Sequence, residues 1–261
     1  MLDSVDCGTA DDVRSAFTRG QDRGGAERIR TEQLMPTEPD DDAKPREPAS
    51  PPCYLHEMAT SPSVKPAPPP PEGVARWRQN ARERLIAMRS AVPAEQRAAH
   101  AALIVQQLET LFGPRPGAIV GAFWPIRGEP DFRPWMHQLT ERGVRVALPV
   151  IVAKGQPLLF REWRPEVRLE RGVWGIPVPA EGATVEPTLL LAPLVGFDDD
   201  CYRLGYGGGY FDRTLAALAP RPLCIGVGSL EGRLATIYPQ PFDTPMDWIV
   251  TGRHFARRQP P

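Results

Sequence analysis

From residue 118 onward the chain carries six short apolar runs: AIVGAFW (118–124), VRVALPVI (144–151), LLFREW (158–163), LLLAPLVGF (189–197), LCIGVG (223–228) and WIVTG (248–252). Each has the length of a strand and is too short to cross a bilayer as a helix. Between the first two lies DFRPWMHQLTERG (131–143), a helix-like segment that ends at Gly143. Alternation of strand, helix and strand is the pattern of a mostly parallel sheet with helices on both faces, which predicts an α/β domain. Ligands of such a sheet are expected at the carboxyl ends of its strands.

Two helices are predicted ahead of the runs. Trp77, Ala81, Leu85 and Met88 recur at helical spacing opposite Arg76, Arg78, Arg82, Arg84 and Arg89. After Pro93 a second periodic stretch runs through Leu103, Ile104, Leu108 and Leu111 until GPRPG stops it. A row of arginines on one helix is ordinarily a solvated face.

Residues 1–72 have a different composition, with 8 Lys and Arg against 14 Asp and Glu and 12 of the 32 prolines. Such a stretch lacks the apolar area to offset the entropy of ordering, so it is expected to be a disordered, locally polyproline II tail. The domain is then 73–261. It nets +5, which is modest, and no aromatic-interleaved basic motif accompanies it, so no nucleic acid partner is expected. The acidic N-terminus lacks the basic and apolar regions of a secretory signal, and no apolar run reaches 18 residues, so neither export nor a membrane partner is expected. Cys7, Cys53, Cys201 and Cys224 show no zinc or redox spacing, which points to a reducing, cytoplasmic setting.

The stretch richest in chemistry is RLGYGGGYFDR (203–213), between an apolar run with acidic residues after it and the helix-like YFDRTLAAL. Gly205, Gly207, Gly208 and Gly209 free the backbone for positive φ and for close approach of a ligand. A glycine loop leading into a helix N-terminus suits a phosphate, because unpaired N–H groups and the helix dipole face the anion. Asp212 would then stand where a carboxylate can hold magnesium on those phosphates. The loop is neither G-x-G-x-x-G nor G-x-x-x-x-G-K-[ST], so on the residues alone a glycine-rich turn with aromatic packing competes with a phosphate cradle.

The longer stretch LLLAPLVGFDDDCYRLGYGGGYFDRTLAAL closely resembles the signature of the 5-formyltetrahydrofolate cyclo-ligases. FWPIRGEPDFRPWMHQL, WGIPVPAE and PQPFDTPMDWIVTG are similar to further segments of that family, so the likeness covers about Gly73 to Thr251. The resemblance implies an architecture like that of sugar-phosphate isomerases and coenzyme A transferases. It also implies an activity: ATP-driven closure of 5-formyltetrahydrofolate to 5,10-methenyltetrahydrofolate, with magnesium as cofactor and a monomer as the working unit.

Carried over residue by residue, the family's ATP loop falls on Arg203, Leu204, Gly205, Tyr206, Gly207, Gly208, Gly209, Tyr210 and Phe211. Arg203 is its candidate charge clamp. The N-terminal ATP contacts fall on Val74 through Arg78, which puts Arg78 on phosphate and leaves the other arginines of that helix to solvent. Asp212 and Asp243 fall on the magnesium-associated acids, and Trp124, Glu129, Trp174 and Tyr210 on the folate side. Arg203, Tyr210 and Glu129 are thereby the expected catalytic groups, although core packing is the competing reading for the tryptophans. The chain departs from many relatives at Val74 and Gly208, where they carry lysine, and at Phe242 and Gly252, where they carry histidine and glutamate. An isomerase or transferase activity lacks its glutamate motif here; a non-catalytic nucleotide-, folate- or RNA-binding regulator is the alternative that the lost cations favour.

Overall fold

The computed structural model describes Pro70 and residues 72–259. The predicted tail, 1–72, lies almost entirely outside the described residues. Helices α1 (Val74–Ser90) and α2 (Ala94–Leu111) come first, separated where Pro93 cannot continue the first helix. Strand β1 (Ile119–Gly121), helix α3 (Arg133–Glu141) and strands β2 (Arg145–Val150) and β3 (Leu159–Trp163) follow. Two short strands, β4 (Leu169–Arg171) and β5 (Pro177–Pro179), flank a single tight turn at Val173–Gly175. The chain continues through β6 (Leu189–Pro193), β7 (Gly196–Phe197), β8 (Arg203–Leu204), α4 (Tyr210–Ala217), β9 (Leu223–Val227), β10 (Trp248–Val250) and β11 (Phe255–Arg257).

The main sheet has the order β11-β10-β9-β6-β1-β2-β3, with the five inner strands parallel and both edge strands antiparallel. Both faces are covered, as the apolar runs predict. On β6, Leu189 and Leu191 join one core with Leu108 of α2 and Met136 of α3, while Leu190 and Ala192 join another with Leu215 of α4. A third cluster seats Ala81 and Leu85 of α1 on Val195, Leu204 and Ile237.

Chain order reverses between β1 and β6. From β1 the chain moves to β2 on one side, and from β6 to β9 and β10 on the other. The carboxyl ends at that junction diverge and leave a crevice. The run 189–197 is not one strand: β6 ends at Pro193, and the acidic residues after it lie in a small β7–β8 hairpin ahead of the glycine loop, closed by Gly196↔Leu204 and Phe197↔Arg203. Asp198 fixes it, since its two carboxylate oxygens accept from the Tyr202 and Ile237 amides at 3.0 Å each. Among the described residues no helix is long and apolar enough to cross a membrane.

Candidate active site

A cavity of about 570 Å3 opens at the carboxyl ends of β1, β2 and β6, where Phe123, Ile151 and Pro193 form part of its wall. The whole stretch 203–212 lines it on one side, with Arg78, Arg82 and Asp243 beside the loop. Trp124, Glu129 and Trp174 line it as well. Residues from α1, the β1–α3 connection, the β4–β5 turn, the glycine loop and the 237–243 segment thus meet in one crevice.

Local geometry explains the glycines. Gly207 and Gly209 have φ of +92° and +63°, the left-handed region that side chains avoid. Gly205 is needed for space, because a Cβ there would lie 2.5 Å from Arg203 Nη1. Gly209 caps α4 without a side chain, so it offers no oxygen of its own to the first-turn amides of the helix. Asp212 sits in that first turn, where its charge complements the dipole.

The arginines divide differently from expectation. Arg78 was assigned to phosphate, but its guanidinium is committed to the protein. It donates to Ile237 O at 3.0 Å and Tyr238 O at 2.9 Å, and pairs with Asp243 in a buried salt bridge. Arg82, one turn along and read as solvated, donates only to Gly205 O, at 2.7 Å, among the described residues. Burial, and then the positive charge of Arg78, lower its pKa. Its guanidinium carbon would be 3.4 Å from a Cβ at Gly207, so its spare donors lie against the glycine loop. Arg203 is buried beneath the loop and pairs with Asp212 at 2.9 Å, while its Nε is buried without a partner among the described residues.

These pairings bear on the metal. Asp212 is bound by Arg203 and accepts from the Thr244 amide at 3.3 Å; Asp243 is bound by Arg78 and accepts from the Gln240 amide at 2.7 Å. Among the described residues no group of three or more His, Cys, Asp or Glu is placed to hold a metal ion. Neither carboxylate therefore belongs to an all-protein metal cluster, which a magnesium shared with nucleotide phosphates does not require. Each is the counter-ion of an arginine.

The opposite wall is aromatic with one acid in it. Glu129 is buried, and its Oε2 accepts from the Ile126 amide at 2.8 Å while Oε1 accepts from the Tyr206 hydroxyl at 2.7 Å. Burial pushes its carboxyl above the usual glutamate range, against the downward pull of those hydrogen bonds and of Arg89 and Arg127. Trp124 is half-buried, with the Arg133 guanidinium 5.2 Å from its ring centre. Trp174 is 70% exposed and has a positive φ of 58°. Its ring meets Tyr210 edge-on at 5.9 Å. Phe242, equally exposed on the same cavity, was not among the expected site residues, and neither was Arg82. Exposed aromatics over a crevice offer faces to a flat heteroaromatic ring. Core packing, the competing reading for the tryptophans, does not hold for Trp174.

Fold and crevice together define an open α/β protein with a glycine loop facing an aromatic, acid-bearing wall at the strand-order reversal. The family model described as the 5-formyltetrahydrofolate cyclo-ligase family matches residues 74–252, and the chain belongs to that family. It is 39% identical over 103 residues to the Escherichia coli K12 5-formyltetrahydrofolate cyclo-ligase, covering 37% of this chain and 56% of that protein. With the Mycolicibacterium smegmatis 5-formyltetrahydrofolate cyclo-ligase it shares 34% identity over 143 residues, covering 52% of this chain and 74% of the relative. The Aquifex aeolicus 5,10-methenyltetrahydrofolate synthetase structure shares the fold with a TM-score of 0.61 at 24% identity, over 70% of this chain and 94% of that one. The Mycoplasma pneumoniae 5,10-methenyltetrahydrofolate synthetase does so at 0.56 and 24%, over 67% and 98%.

Proposed function

We propose that this chain closes 5-formyltetrahydrofolate to 5,10-methenyltetrahydrofolate at the expense of ATP, releasing ADP and phosphate. The observation that supports this best is the meeting, in one crevice, of the loop 203–211 with Glu129, Trp124 and Trp174 in a chain of the cyclo-ligase family. The curated relatives carry the activity in their names; the E. coli match spans 56% of that protein.

The difficulty of the reaction is that a formyl oxygen is a poor leaving group. In the proposed sequence that oxygen attacks the γ-phosphorus of ATP and ADP departs. N10 then adds to the formyl carbon and loses its proton, and the C–O bond breaks to expel phosphate. The product is a cation delocalised over N5, the bridging carbon and N10. The protein's part is positioning and charge neutralisation more than covalent chemistry.

On this reading the amides of Gly207–Phe211 and the spare donors of Arg82 receive the phosphates, and Arg203, neutralised by Asp212, supports the loop from beneath. Trp174 and Tyr210 cover the pterin, with Trp124 further along the wall. Glu129, ionised, accepts a substrate N–H and faces the developing cation. Magnesium enters with the nucleotide, and no step is routed through a metal held by Asp212 and Asp243. The enzyme works as a monomer in the cytoplasm, where the free, buried Cys201 and Cys224 stay reduced.

The test uses the purified full chain with 5-formyltetrahydrofolate. Methenyl absorbance should rise only when Mg-ATP is added, with one ADP formed per product. No conversion at saturating Mg-ATP would remove the enzymatic reading.

A further inference from the structure

We propose that Tyr206, although it sits in the middle of the glycine loop, is a positioning residue for Glu129 on the folate side rather than a contact to the nucleotide. The inference rests on the activity proposed above and deepens it.

Hydrogen-bond polarity carries the argument. Arg89 Nη2 lies 2.5 Å from the Tyr206 hydroxyl, and that hydroxyl lies 2.7 Å from Glu129 Oε1. A guanidinium can only donate, so the phenol oxygen accepts from Arg89. Its single proton therefore points at Glu129. Arg89 has no freedom to let go, since its other nitrogens donate to Arg127 O at 3.0 Å and Leu194 O at 2.9 Å. The Tyr206 ring is held from both ends of the network, with Arg89 and Arg127 guanidinium carbons 5.9 and 5.7 Å from its centre. Nothing on this side chain is left to donate to a phosphate.

The consequence falls on Glu129. The Ile126 amide takes one carboxylate oxygen and Tyr206 takes the other, which fixes the plane of the group and leaves its remaining lone pairs for substrate. The charged and titratable groups facing Glu129 are Arg89 from α1, Tyr206 from the loop and Arg127 from its own connection. The hydroxyl favours the ionised form in a place where burial opposes it. A carboxylate that turned or took up a proton would no longer face the cation that forms on ring closure. Because Tyr206 stands between Gly205 and Gly207, the loop and the acid are also parts of one hydrogen-bonded unit.

The experiment is Tyr206→Phe in the full chain, which removes one oxygen and keeps the ring. A lost hydrogen bond to a charged group predicts a rise of roughly tenfold in KM for 5-formyltetrahydrofolate, with KM for ATP changed by less than about twofold. The acid limb of kcat/KM for the folate should move to higher pH, because a group that lowers the Glu129 pKa is gone. A rise in KM for ATP with an unmoved acid limb would make Tyr206 a nucleotide contact and overturn the proposal, as would a variant identical to the parent. Carbon-13 titration of the glutamate carboxyls in the ligand-free chain separates this from the activity itself. If the parent shows no conversion, the proposed function fails, yet an upward shift of Glu129 in the Phe variant would still support the positioning role and an unmoved Glu129 would refute it.

Discussion

Two arginines one turn apart on α1 make opposite forecasts. Arg78 and Asp243 are both about nine-tenths buried, so Arg78→Gln strands a carboxylate and should cost about 3 kcal/mol in chemical denaturation. Among the described residues Arg82 is tied to one carbonyl only, so Arg82→Gln should leave stability nearly unchanged and raise KM for ATP roughly tenfold. If Arg82→Gln binds ATP normally while Arg78→Gln remains stable, both roles are misassigned. The sequence could not separate these residues. They lie four apart on one face, and what distinguishes them is the segment Ile237–Asp243, some 160 positions away, which claims Arg78 and leaves Arg82 to the loop. Glu129 gives the pH forecast. Its pKa is raised in the folded chain, so its contribution to stability is fully present below the ordinary glutamate value and is lost as pH rises toward the folded value. Turnover has the opposite sign on the proposed mechanism, in which the ionised form works; the acid limb of kcat/KM should then lie above the usual glutamate range. Glu129→Gln should abolish that limb and lower kcat/KM by about 100-fold. A limb that persists in the variant belongs to another group.

At the scale of elements, the glycine loop is where turn and cradle diverge. Gly207→Ala and Gly209→Ala each place a methyl on a residue with positive φ and should cost about 1 kcal/mol under either reading. A cradle adds that the methyl stands where phosphate oxygens meet the amides. The variants should then stay folded, still bind 5-formyltetrahydrofolate, and lose ATP-dependent conversion well beyond the stability change; folded variants with normal use of ATP would make the loop a turn. The main elements were legible in the sequence because their cause is local. Pro93 divides α1 from α2, and the runs at 118–124, 144–151, 189–197, 223–228 and 248–252 carry the five inner strands. The small ones were not. β4 and β5 are three residues each, partly exposed and with prolines at Pro177 and Pro179, and the β7–β8 hairpin hides inside an acidic stretch whose Asp198 is buried to hold it. The antiparallel course of β3 and β11 was also invisible, since an apolar run states burial and not direction.

For the whole molecule, among the described residues the apolar clusters and the crevice are formed from Trp77 onward, and the family match begins at residue 74. A chain beginning at Pro70, whose carbonyl accepts from the Gly73 amide at 2.9 Å, should therefore keep its thermal midpoint and its turnover. A large loss in either would show that residues 1–69 complete the fold or the site. The signature placed the stretch 203–212 that lines the crevice, whereas the charge pairing was not legible: that Asp212 and Asp243 are arginine counter-ions follows only once α1, the loop and the 237–243 segment are brought together. The proposed reaction requires one crevice to bring the γ-phosphorus of ATP to the formyl oxygen of the folate, and the fate of that oxygen reports on it. With 18O in the formyl group and the full chain turning over Mg-ATP, one labelled oxygen should appear in each phosphate released. Unlabelled phosphate, with product forming at the same rate, would contradict it.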